Sequence, residues 1–75
     1  MPHVTIKMRA GRSDEQKAAL ATTLADTIAA TLGVESKFVS IAIDDVEGKA
    51  WKSDVYDTEI MADPARLYKK PGYSL

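Results

Sequence analysis

From Val4 the chain alternates: Val4, Ile6 and Met8 fall on one side of an extended backbone, and His3, Thr5, Lys7 and Arg9 on the other. That is the pattern of a half-buried β-strand beginning at the N-terminus. Ala10-Gly11 breaks it. Ser13-Asp14-Glu15-Gln16 then has the form of a capping box, with two carboxylates in the first turn, where the helix dipole favours negative charge. Leu20, Leu24, Ile28 and Leu32 recur every four residues with Ala21 and Ala25 beside them. One stripe of a helix starting at Ser13 therefore faces a core, while Lys17, Thr22 and Asp26 lie elsewhere. Gly33 follows as a left-handed C-cap.

Phe38 to Asp44 alternates again, Val39, Ile41 and Ile43 against Phe38, Ser40 and Ala42, and its β-branched content predicts a second strand. A strand, a long helix and a strand joined by short loops make an α/β unit of the βαβ kind, its strands parallel through a right-handed crossover. Two strands alone do not support a sheet, so the open edges and uncovered face call for a second copy of the chain. Beyond Val46 the pattern weakens. Gly48 marks a turn, a short helical stretch is predicted over Ser53 to Ile60, and Asp63-Pro64 reads as an N-cap with proline at the first helical position. That brief last helix would end at Lys69-Lys70, stopped by Pro71-Gly72.

Seventy-five residues leave room for one domain, 1–75, and the 45% hydrophobic and 28% charged content is that of a folding chain. A domain this small buries only about 60% of its unfolded surface. With no cysteine there is no disulfide staple and no thiolate zinc site, which leaves self-association as the common route to stability. Ten basic against eleven acidic residues provide no footprint for a nucleic-acid backbone. No apolar run is long enough for a membrane span or a signal peptide, so the expected compartment is cytoplasmic.

Candidate chemistry is sparse. His3 has no second ligand for a metal and no serine triad around it, and it reads as an ordinary strand residue. Asp44-Asp45 and Glu47 are three acids in a strand-ending loop, a pattern normally just solvated. The four glycines match no phosphate loop. Pro2 differs in kind, because removal of Met1 would leave a secondary amine at the chain terminus. An α-amino group titrates near ~8, and an apolar site or nearby cations would bring that toward neutrality, making a general base.

Met1-Pro2 ahead of a strand, followed by Gly11-Arg12-Ser13-Asp14-Glu15-Gln16-Lys17 at the head of the long helix, resembles the 4-oxalocrotonate tautomerase family. The likeness covers residues 2 to 44 and extends to Trp51. The ending Lys69-Lys70-Pro71-Gly72-Tyr73-Ser74 is similar to the dimeric, PptA-like subgroup. The resemblance implies a cofactor-free isomerase in which the amine of Pro2 shuttles a proton between oxygen and carbon of an enol or dienol. It implies that Arg12 polarises a carbonyl or binds a carboxylate, and that Trp51 walls the pocket and excludes water. The family's second-strand arginine is replaced by Ser40, a neutral hydroxyl that can hydrogen-bond a substrate but cannot pair with a second carboxylate. The expected substrate is a small molecule, a 2-hydroxydienoate or an enol of a 2-oxo acid such as phenylpyruvate. Two alternatives stay open: water addition to an unsaturated acid, with Asp44 as the candidate acid, and a non-catalytic βαβ oligomerisation module. Because stacking would bury Lys7 and Arg9 on the strand face away from the helix, a homodimer is expected over a hexamer.

Overall fold

The computed structural model describes residues 1–75. Strand β1 (His3–Arg9) leads into helix α1 (Asp14–Leu32), and a 3-10 turn at Ser36–Phe38 precedes strand β2 (Ser40–Val46). The two strands pair in parallel with His3 opposite Ser40, Lys7 opposite Asp44 and Arg9 opposite Val46, which is the βαβ crossover the alternation predicts. The ladder opens with the Ser40 N–H donating to the Pro2 carbonyl at 3.1 Å and closes with the Ala10 N–H donating to that of Val46 at 2.8 Å.

Helix α1 begins as its sequence dictates. The Ser13 hydroxyl accepts from the Gln16 N–H at 3.1 Å, and the Gln16 side chain accepts from the Ser13 N–H at 3.1 Å, so both halves of the capping box are made. Gly33 closes the helix in the left-handed region, φ 68°, a conformation that costs a side-chain-bearing residue energy. Of the predicted stripe, Leu24 and Ile28 are half-buried, whereas Leu20 is 38% and Leu32 61% exposed.

Two predicted elements shift. The second strand starts at Ser40, not Phe38, because Phe38 and Val39 donate their N–H groups to Glu35 and Ser36 in the 3-10 turn and are not free for the ladder. It runs on to Val46, whose carbonyl accepts the Ala10 N–H and keeps the ladder going past Asp44. The final helix is a single 3-10 turn, Pro64–Arg66, which ends well short of Lys69-Lys70. Asp63 makes no side-chain cap, and Leu67 is already extended at ψ 111°, so nothing continues the turn.

The predicted helical stretch after Gly48 is present as a 3-10 turn, Gly48–Ala50, running into a π-helix, Lys52–Ile60. Lys52 and Asp57, five residues apart, pair at 2.9 Å, which a helix with five-residue closure permits and an α-helix would splay apart. This segment lies on the sheet face of the odd-numbered β1 residues. Lys7 donates to Glu59, and the Arg9 guanidinium rests against Gly48. On the other face, Lys17 of α1 reaches Asp45 at 2.8 Å. Helix α1 thus lies on one face of the sheet, while the C-terminal segment meets the other only around Lys7 and Arg9 and leaves His3, Thr5, Ser40 and Asp44 exposed; only Val55 and Tyr56 are buried.

Candidate active site

The sequence-predicted residues divide between the two ends of β1. At its start, Pro2 follows Met1, which is 93% exposed. Ser40 stands beside Pro2 through its backbone bond to the Pro2 carbonyl, and its hydroxyl lies 2.6 Å from Nδ1 of His3. His3 is therefore the partner that orients Ser40, with Nε2 3.5 Å from the Thr5 hydroxyl.

At the other end, Arg12 and Trp51 share an open cleft of about 790 Å³. Gly11 brings Arg12 there: its φ of 129° is open to glycine and strained for other residues, and it turns the chain out of β1 so that Arg12 stands just ahead of the Ser13 cap. The six steps from His3 to Arg9 at ~3.3 Å each place the two ends of β1 roughly 20 Å apart. Pro2 and Ser40 do not line the Arg12 cleft of their own chain.

The cleft is cationic. Lys7, Arg9, Arg12, Lys49 and Lys52 line it with no acidic side chain among its walls, although the chain as a whole carries a net charge of -1. Lys7 is paired with Glu59 and Lys52 with Asp57, but Arg9, Arg12 and Lys49 form no ion pair. Lys7 holds its proton above the ordinary lysine value of 10.5, chiefly because Glu59 accepts its hydrogen bond, with the charges of Glu59, Asp44 and Asp54 adding and desolvation opposing. Leu20, Trp51, Tyr73 and Leu75 supply the apolar and aromatic wall. Such a site takes an anion joined to an apolar or aromatic group.

Sequence reasoning missed three residues here. The sequence marks Arg9 only as a strand cation, although it lies three residues from Arg12. Gly48 was read as a turn, yet a methyl group there would lie 2.8 Å from Nε and 2.9 Å from Cζ of Arg9, so its lack of a side chain is what seats the guanidinium. Tyr73 joins the wall from the tail: the Trp51 indole N–H donates to its hydroxyl at 3.2 Å, and its ring lies 5.8 Å from that of Tyr56. No spacing rule connects positions 51, 56 and 73. Asp44 faces Lys7 across the sheet and is not among the residues lining the cleft.

Residues 2–53 match the family model described as "Tautomerase enzyme". The chain is 43% identical to tautomerase PptA of Enterobacter sp. (strain 638), with all of both chains covered. It is 42% identical to a probable tautomerase of Xylella fastidiosa (strain 9a5c), across 97% of this chain and 89% of that one. Among solved structures, apo unFused 4-OT superposes with a TM-score of 0.64 at 35% identity, covering 65% of this chain and 80% of that one. TomN, a 4-oxalocrotonate tautomerase homologue of the tomaymycin biosynthetic pathway, gives 0.65 at 26% identity, over 67% and 77% of the two chains.

Proposed function

The chain belongs to the tautomerase family, and from that membership we propose a 1,3-keto-enol tautomerase of carboxylated enols whose site is built from two copies of the chain. The observation that carries the proposal is the cleft: Arg12 and Trp51 line it together with Arg9, neither arginine forms an ion pair, and no acidic side chain stands among its walls. Arg12, with Arg9 seated on Gly48, holds the carboxylate of a 2-hydroxydienoate or an enol of a 2-oxo acid such as phenylpyruvate, and Trp51 covers its apolar end. With Met1 removed, the neutral amine of Pro2 takes the enol hydroxyl proton and returns it to carbon, serving as base and then acid. The cations of the cleft favour the unprotonated amine. No cofactor is required for this transfer.

Pro2 lies about a strand's length from its own cleft, so a second copy supplies it. Two β1 edges meeting about a twofold axis pair antiparallel, which lays the start of one β1 beside the end of the other. At an inter-strand spacing of ~4.8 Å, the partner's Pro2 then reaches the cleft holding Arg12, and symmetry makes two such sites. Ser40 accompanies Pro2, held by His3, as a neutral hydrogen-bonding group at the amine end. Water addition is the weaker reading, because no acidic side chain in the cleft is placed to activate water. The small-molecule chemistry and expected compartment, the cytoplasm, fit the same reading.

Complementation tests it. Untagged Pro2→Ala and Arg12→Ala proteins should each be nearly inactive toward the enol of phenylpyruvate. Mixed in equal amounts, half the dimers are mixed and each regains one intact site, so activity should return to about a quarter of wild type. No recovery after verified subunit exchange would place Pro2 and Arg12 in one chain's site and reject the two-copy arrangement.

A further inference from the structure

The tail beyond Pro71-Gly72 has no regular structure, yet one residue in it is fixed from two sides. The ring of Tyr73 is tilted against Tyr56, one of the two buried residues, at 5.8 Å between centroids. Its hydroxyl accepts the indole N–H of Trp51 at 3.2 Å. A phenol has one hydrogen to give, and with the indole occupying an acceptor position that hydrogen points away from Trp51. It finds no acceptor within the chain, and Tyr73 lines the same cleft as Arg12.

We propose that Tyr73 is a substrate-binding residue that donates a hydrogen bond to the oxygen on the carbon next to the substrate carboxylate. The inference rests on the tautomerase reading above and names the residue that recognises the 2-oxygen of its substrates. Arg12 is a cation suited to the carboxylate. A neutral donor in the same cleft suits the carbonyl or enol oxygen of that substrate, whose partial charge grows as the proton leaves. Trp51 positions the phenol, so the aromatic wall both covers the substrate and aims this donor.

Tyr73→Phe isolates the hydroxyl, because the ring stays against Tyr56. Two probes are compared by titration calorimetry: phenylpyruvate, which has the 2-oxygen, and 3-phenylpropanoate, which keeps the carboxylate and ring but lacks it. The variant should bind phenylpyruvate roughly tenfold more weakly and lose a similar factor in kcat/KM, while 3-phenylpropanoate affinity changes less than about twofold. Trp51→Phe, which releases the phenol, should show the same selectivity to a lesser degree, and combining the two substitutions should cost less than their product. Equal weakening of both probes, or of neither, in Tyr73→Phe would overturn the proposal. A wild-type protein that binds phenylpyruvate in preference to 3-phenylpropanoate but turns over no enol would reject the tautomerase substrate reading while leaving the hydroxyl's contact in place.

Discussion

A guanidinium without a carboxylate partner is an open binding valence, and the cleft holds two. For Arg12, loss of a charge-assisted bond to a substrate carboxylate should lower kcat/KM by roughly 10- to 100-fold in Arg12→Ala, with kcat falling as well as KM rising if the same group steadies charge during proton transfer. Ser40→Ala, which removes one neutral hydroxyl already engaged by His3, should cost under about fivefold. Steady-state kinetics on a carboxylated enol checks both, and equal losses would show that the Arg12 charge is not what binds. Arg9 depends on the bare backbone of Gly48. Gly48→Ala should therefore displace it and raise KM several-fold, and the double variant with Arg9→Ala should be no worse than Arg9→Ala alone. Additive losses would show that Gly48 acts elsewhere. Pro2 and Arg12 were legible as candidates from the Met1-Pro2 start and the Gly11-Arg12 motif, and Ser40 and Trp51 only through the family resemblance. Arg9, Gly48 and Tyr73 were not, since their roles arise from segments brought together across the chain.

The elements most legible in the sequence are those whose hydrogen bonds are local. Alternation marked β1, and the Ser13–Gln16 box with Gly33 marked both ends of α1, because each cap satisfies backbone groups within a few residues. Strand β2 was displaced by two residues because Phe38 alternates correctly yet spends its N–H in a 3-10 turn, a choice that side-chain pattern does not record. The π-helix was legible only as a helical stretch, its closure being unlike that of an α-helix. The Ser13 cap also has a functional consequence, since Arg12 immediately precedes it. Ser13→Ala should lower unfolding stability by ~1 kcal/mol in denaturant titration. It should also raise KM, because the backbone carrying Arg12 loses its anchor. An unchanged KM at reduced stability would mean that Gly11 alone sets the position of Arg12.

At the scale of the molecule, the chain has more surface than it can stabilise alone. A folded monomer of 8.2 kDa should expose about 4,500 Å², and this one exposes 5681 Å². Its radius of gyration is 13.9 Å, where a compact domain of this length would have about 11 Å. The excess of roughly 1,100 Å² is close to the ~800 Å² per partner that a standard interface removes. Both sheet edges and much of the apolar stripe of α1 are available for it, as two unsupported strands and the absence of cysteine already implied. One such contact removes most of the excess. Stacking dimers into a hexamer would require a second interface over the odd-numbered face of β1, where the C-terminal segment already stands against Lys7 and Arg9 through Glu59 and Gly48 and leaves His3 and Thr5 exposed. Glu59 gives Lys7 the partner that the sequence did not reveal, so the obstacle to stacking is the covering segment more than a bare lysine. The protein should therefore be a dimer in solution, of twice 8.2 kDa by light scattering at micromolar concentration. Because folding and association are then linked, its Tm should fall on dilution. Pro2→Ala should leave both properties unchanged while removing activity. A mass near six subunits would contradict the covering role of the C-terminal segment, and a concentration-independent Tm in a monomer would contradict the shared site itself.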